Sequence, residues 1–199
     1  KYAKSELVYG AFEGTDFFPA LGKDGKWLHF CASAIKDSNG NIIGAVETLE
    51  DITRRMRAEE DLSKTNDLLR AVIEAAPVAI IDLDLDGKVR SIWNPAAEKM
   101  LGGSKGEAIG NILPSVPVEK DEEFRRFRDW IKSGRTLNGI EVLRQRRDGK
   151  PIHYCIYGSP LYDSKNRIIG NVAVLVDITE RKQSEDVLRE REKFLSSIL

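Results

Sequence analysis

Asp84-Leu-Asp-Gly-Lys-Val-Arg-Ser-Ile-Trp-Asn-Pro-Ala-Ala-Glu98 changes its apolar period partway along, and that change decides how the chain is read. Asp86-Gly87 supplies a tight turn, because glycine reaches positive φ without a Cβ penalty. The short apolar runs on either side, Ala79–Leu83 and Val89–Trp93, read as the two strands of a hairpin. Asn94 then stands at a natural helix N-cap, and Pro95 at the first helical position, where a missing N–H costs nothing. The pattern predicts a helix over 95–101, stopped by Gly102 and Gly103.

Downstream, Asp121–Lys132 carries Phe124, Phe127 and Ile131 at spacings of three and four on an otherwise charged helix, giving one apolar stripe to lay across a sheet. Three longer strands follow, Gly139–Gln145, Pro151–Leu161 and Arg167–Val176, with turns at Arg147-Asp-Gly149 and Asp163-Ser-Lys-Asn166. Two strands, short helices and three strands make an α+β domain.

The chain also matches itself. Asp37-Ser-Asn-Gly-Asn-Ile-Ile-Gly44 reappears as Asp163-Ser-Lys-Asn-Arg-Ile-Ile-Gly170, an offset of 163 − 37 = 126, and Asp51-Ile-Thr53 as Asp177-Ile-Thr179 at the same offset. Lys23-Asp-Gly-Lys26 matches Arg147-Asp-Gly-Lys150 two positions short of that, so the second copy has two extra residues in this hairpin. The unit is too long for a solenoid repeat. The chain begins at Lys1 without Met or a signal-peptide pattern and reads as an excerpt.

Composition removes several classes of function. The 31 Lys and Arg against 32 Asp and Glu leave no basic footprint for nucleic acid or anionic lipid. Apolar runs such as Val172–Val176 fall far short of the roughly 20 residues of a membrane helix, so no membrane insertion is expected. The 2 cysteines, Cys31 and Cys155, make no disulfide framework and fit a reducing cytoplasm.

The quoted stretch, the later Glu107-Ala-Ile-Gly110, the Asp-Gly hairpin and the closing Asp177-Ile-Thr-Glu-Arg181 together resemble the PAS family in order and spacing. That resemblance implies a five-stranded antiparallel sheet with short helices on one face. It divides the chain into the C-terminal part of a preceding PAS domain (1–53: a helix end, three strands and the closing Asp51-Ile-Thr53), a helical linker with N-terminal cap (54–76), a complete PAS domain (77–180) and the start of the next linker helix (181–199).

In many members of the family a ligand sits between sheet and helices, and strand parity says which side chains reach it. Ile81 and Leu83 share a face of the first strand; Val89, Ser91 and Trp93 share one in the second. The resemblance implies that Ile140, Val142 and Arg144, then Tyr154, Ile156 and Gly158, then Ala173 and Leu175 point inward. The candidate ligand pocket is therefore Ile81, Leu83, Trp93, Val142, Arg144, Tyr154, Ile156 and Leu175; an ordinary packed core is the competing reading. Buried, Tyr154 and Arg144 need partners that a ligand could supply.

The cofactor is unknown. Two familiar ones lack their residues: haem-binding members use a His on the long helix, and Asp121–Lys132 has none; light-sensing flavin members need a Cys near 100–109, and none occurs there. Plain flavin binding stays open. His29 with Cys31 and His153 with Cys155 each share a strand face, but zinc would need two such pairs to meet, so no metal site is assigned. The other reading of these pairs is an outer sheet face packing on a helix. Gly102-Gly-Ser-Lys-Gly106 lacks the Gly-Lys-Ser order of a phosphate loop, and no nucleophile, base and acid form a recognisable motif, so no enzyme activity is expected of this segment.

After Asp51-Ile-Thr53, where Thr53 can cap a helix, Ala58, Leu62, Thr65, Leu69, Val72 and Ala76 alternate at four and three. A helix on its own sheet and a two-chain coiled coil are both compatible; in the second case Leu62, Leu69 and Val72 form the contact of a homodimer. The expected function is a sensory or relay module of a multidomain cytoplasmic signalling protein, such as the histidine kinase of a two-component system. It would bind a small ligand or partner and signal to neighbouring PAS and output domains through the junctions Asp51–Thr53 and Asp177–Thr179. The alternative is a ligand-free module for dimerisation.

Overall fold

A computed structural model describes residues 3–5, 10–113 and 121–198. The chain divides into two compact units, Lys1–Leu69 and Arg70–Leu199.

In the first unit, β1 (Ala3–Lys4), β2 (Ala11–Phe18), β3 (Lys26–Lys36) and β4 (Ile42–Asp51) form an antiparallel sheet in that order. The expected helix end is not seen in the described part of the start, where Ala3 and Lys4 instead pair with Glu13 and Phe12 as strand; the rest of that stretch lies outside the described residues. Only Ala11 and Phe30 are fully buried among the unit's described apolar residues, while Ile42, Ile43, Val46 and Leu49 of β4 stand exposed. Helix α1 (Thr53–Ala75) follows and has no buried residue.

The second unit places β5 (Ala79–Leu83), β6 (Val89–Trp93), β7 (Leu137–Gln145), β8 (Pro151–Tyr162) and β9 (Ile168–Asp177) in an antiparallel five-stranded sheet of order β6-β5-β9-β8-β7. Helices α2 (Pro95–Leu101), α3 (Lys105–Ala108) and α4 (Asp121–Lys132) contribute to the core against one face, and α5 (Thr179–Ile198) leaves the end of β9. Phe124, Phe127 and Ile131 are all buried, as their spacing requires of the face turned to a sheet.

Three turns share one device. Asp84, Asp37 and Asp163 each accept backbone N–H bonds from the residues two and four further on, at 2.8–2.9 Å. The position between those donors has positive φ and is Gly87, Gly40 and Asn166 in turn. Asparagine is the side chain that best tolerates that region, which is why a turn written without glycine closes the same way.

The hairpin of β5 and β6 departs from simple alternation. Ile81 faces Trp93 and Leu83 faces Val89, so β6 has two more residues than β5 between the paired positions. The buried Asp82 fills the irregularity: its carboxylate accepts the N–H of Ser91 at 2.8 Å, the N–H of Ile92 at 2.5 Å and the Ser91 hydroxyl at 2.9 Å. The bulge turns Ser91 outward, correcting the expectation that it shares the inward face of Val89 and Trp93.

Candidate functional site

Between the inner face of the second sheet and α4 lies a cavity of about 40 Å³. It is walled by Leu83, Ile81 and Ala173 from the centre of the sheet, by Ile156 and Leu137 further out, and by Phe124, Phe127 and Ile131 from α4. Of the eight residues read as a pocket, Ile81, Leu83, Arg144, Tyr154, Ile156 and Leu175 line it. Trp93 and Val142 are buried but outside the lining; the Trp93 indole donates instead to the Gly103 carbonyl at 3.2 Å, fastening β6 to the connector after α2.

Among the described residues, the polar part of the lining comes from four side chains, Arg128, Arg144, Tyr154 and Asn171. Arg144 on β7 is 5% exposed; its guanidinium donates to the Leu143 carbonyl at 3.0 Å and forms an ion pair with Glu123 on α4. Arg128 donates to the Asp86 carbonyl at 2.5 Å and lies over the Phe124 ring, while its Nε is buried with no hydrogen-bond partner among the described residues. Arg128 and Asn171 went unremarked in the sequence. Asn171 precedes Ala173 by two and so shares its inward face, and a polar residue on an apolar face was the available signal.

The two strand-to-helix junctions are built alike. The Asp51 carboxylate accepts the Thr53 N–H at 3.1 Å and the Thr53 hydroxyl at 2.6 Å, and the Trp27 N–H on β3 donates to that hydroxyl at 2.9 Å. In the second unit Asp177 accepts the Thr179 N–H at 2.8 Å, and the His153 N–H on β8 donates to the Thr179 hydroxyl at 3.1 Å. Thr53 therefore does not cap the helix with its hydroxyl, as its position suggested; it turns back to the sheet, and the aspartate two residues earlier takes a helix N–H. Lys26 and the Thr53 groups hold the Asp51 carboxyl well below the usual range.

Beyond the second junction, Arg181 and Lys182 of α5 pair with Glu141 on β7, and these cations hold its carboxyl below its ordinary value. Cys155 is buried on this side of the sheet beside Tyr157, whose phenol it pushes upward. The two His-x-Cys triplets are not equivalent places: Trp27, not His29, meets the first junction, as His153 meets the second. No group of three or more potential metal ligands occurs among the described residues, and none of their helices is long and apolar enough to cross a membrane.

Asn94 forms a further node. Its amide donates to the carbonyls of Ile73 in α1 and Val78, and its oxygen accepts the N–H groups of Ile80 and Ala97. The last of these is the expected N-cap of α2; the other three tie that cap to β5 and to the end of α1.

A family model described as the PAS fold matches residues 67–178, and one described as a PAS domain matches 18–54. The chain is 26% identical over 200 aligned residues to the C4-dicarboxylate transport sensor protein DctS of Rhodobacter capsulatus, covering 92% of this chain and 30% of that protein. It is 27% identical to the sensor protein FixL of Bradyrhizobium diazoefficiens, covering 91% of this chain and 36% of that one. The chain thus spans about a third of the length of these relatives. Among solved structures, the PAS domain of an HTR-like protein from Haloarcula marismortui superposes with a TM-score of 0.52 at 22% identity, covering 62% of this chain and 99% of that one.

Proposed function

From the premise that the chain belongs to the PAS family, we propose that it is the sensory and relay segment of a larger cytoplasmic signalling protein, a sensor histidine kinase, a reading supported by its similarity to two sensor proteins. Residues 77–180 form the sensing domain, 1–53 the closing part of a preceding PAS domain, and α1 and α5 the helices that carry the signal. Catalysis belongs to other parts of the parent protein, not to this segment.

The observation that supports this reading most directly is that β9 does two things at once. Its inward residues Asn171, Ala173 and Leu175 line the cavity, and its last residue, Asp177, anchors the first residue of α5. A ligand that favours one packing of α4 on the sheet therefore acts on the strand that fixes the outgoing helix, a population shift rather than a new contact. The cavity-lining side chains and the Asp51, Thr53, Asp177 and Thr179 junctions are the residues assigned to sensing and to relay.

A second reading is a ligand-free module for dimerisation, favoured by the small volume of the cavity and by the exposure of Leu62, Leu69 and Val72 on α1. An unbiased mass-spectrometric search for small molecules that copurify with the chain separates the two. A stoichiometric compound whose removal increases hydrogen exchange at the Thr179 and Ile178 amides supports sensing; neither a compound nor any ligand-dependent exchange leaves the dimerisation module.

A further inference from the structure

Resting on the reading of the cavity as the sensing site, we infer that its occupant is a small carboxylate anion, and that this anion competes with Glu123 for the guanidinium of Arg144. The argument starts from charge. Among the described residues of the lining, two side chains are guanidinium groups and none is acidic. The Arg144 side chain is only 3% exposed, whereas its carboxylate partner Glu123, in the first turn of α4, is 30% exposed and stands outside the lining. A buried cation is thus neutralised from the rim rather than from within.

The inner donors are incompletely used. Asn171 is 6% exposed and lines the cavity, yet its carboxamide makes no hydrogen bond among the described residues. The Arg128 Nε is buried without a partner among the described residues. Buried polar groups are normally satisfied, so a buried guanidinium N–H left over beside a further guanidinium, with the Asn171 amide in the same lining, marks the place of an absent acceptor. A carboxylate is the acceptor whose planar pair of oxygens matches a guanidinium fork. Phosphate is a poorer fit, with more oxygens and charge to satisfy beside Phe127, Ile156 and Leu175. Since a water needs roughly 10–15 Å³ of such space, the cavity takes a molecule of only a few non-hydrogen atoms with a short hydrocarbon tail.

Occupation then works by exchange. The incoming carboxylate takes the Arg144 donors, Glu123 turns to solvent, and the first turn of α4 loses its tie to β7. No covalent bond is made or broken, and the charge beside Arg144 is unchanged because one carboxylate replaces another.

The experiment uses the whole chain, with acetate and propionate as sodium salts at constant ionic strength in chloride, against acetamide and 1-propanol of similar size. Binding is read by calorimetry and thermal shift. A carboxylate binds the wild type and the neutral analogues do not; Glu123→Gln, which removes the internal competitor, tightens the same carboxylate by roughly ten- to a hundredfold, the worth of one charged hydrogen bond; Arg144→Gln abolishes binding. Because Arg144→Gln can fail by not folding, the gain in Glu123→Gln is the deciding readout: a merely structural ion pair predicts weaker or unchanged binding there. Neutral analogues or inorganic phosphate binding in place of carboxylates overturns the inference while leaving the cavity a ligand site. No binding of any probe to wild type or to Glu123→Gln, together with no copurified compound, removes both.

Discussion

The carboxamide of Asn94 donates to the carbonyl of Ile73 at 3.0 Å, so the residue that caps α2 also holds the end of α1. Its two donors and its acceptor oxygen are all engaged, at 1% exposure. Asn94→Asp keeps the acceptor side, to Ile80 and Ala97, but loses the donors to Ile73 and Val78; Asn94→Ala loses all four bonds. The expected cost is about 3 kcal/mol or more for either, read by urea unfolding: the aspartate sets a buried carboxylate oxygen against two carbonyl oxygens, and the alanine leaves four backbone groups without their partner. In both, hydrogen exchange at the α1 amides near Ile73 should rise by more than at the centre of β8, since the tie to α1 is what both lose.

Acid dependence should be visible at α3. The Arg147 guanidinium, then the backbone and hydroxyl of Ser104, hold the Glu107 carboxyl down to about 2 from its ordinary 4.5. A folded value below the unfolded one means that the contribution is fully present above pH 4.5 and is lost as pH falls towards 2. The carboxyl is exposed, so the test is spectroscopic: in an NMR titration Glu107 should titrate near 2, and Arg147→Met should move it back towards 4.5. A midpoint unchanged by Arg147→Met would show that the ion pair does not persist in solution.

Gly44 and Gly170 occupy the same place in the two repeats but should not tolerate the same change. A Cβ on Gly170 would lie 2.2 Å from the Leu83 carbonyl oxygen, because β5 runs alongside; one on Gly44 would meet nothing nearer than Ile35 at 3.7 Å. Gly170→Ala should cost about 3 kcal/mol or more, whereas Gly44→Ala should be neutral or stabilise by up to about 0.5–1 kcal/mol through the unfolded chain. Thermal unfolding of the two variants side by side checks the contrast.

If α1 pairs with its counterpart in a second chain, its apolar seam carries the contact. Leu62, Leu69 and Val72 are 63%, 55% and 59% exposed within one chain, and each is worth about 1.5–3 kcal/mol if fully covered. Leu62→Asp with Leu69→Asp should give monomers in sedimentation equilibrium while circular dichroism of the sheet is unchanged. A double variant that stays dimeric removes α1 from the interface.

Much of the second unit was legible because its signals are local. The Asp86-Gly87 turn, the Asn94-Pro95 helix start and the Phe124, Phe127, Ile131 stripe each need only a few neighbouring residues to be recognised. What escaped depends on partners distant in sequence. Asp82 reads as one polar residue in an apolar strand until the bulge brings Ser91 and Ile92 onto it. Thr53 has the makings of a cap until the β3 backbone claims its hydroxyl. The repeat holds at Asp-Ile-Thr, and the equivalent junction contacts come from Trp27 and His153, 153 − 27 = 126 residues apart like the aspartates, and not from His29 and His153 as a pair. In the cavity, the family resemblance with parity put Arg144 and Tyr154 on the inward face; it could not tell that Val142 and Trp93, equally buried, would be packed away from the open space.

One feature of the first unit bears on how this protein behaves in a tube. Strand β4 is hydrogen-bonded on one side only among the described residues, and it presents Ile42, Ile43, Val46 and Leu49 to solvent. Such an edge is a template for pairing with any other extended chain. Against that stand Glu47 and Glu50, whose like charges repel a second copy laid in parallel register. Charge repulsion of this kind reaches only about 8 Å at 0.15 M salt. At the roughly 4.8 Å spacing of paired strands that repulsion still acts in 0.15 M salt, and stronger salt should weaken it, so light scattering from concentrated samples of this segment should grow as salt is added.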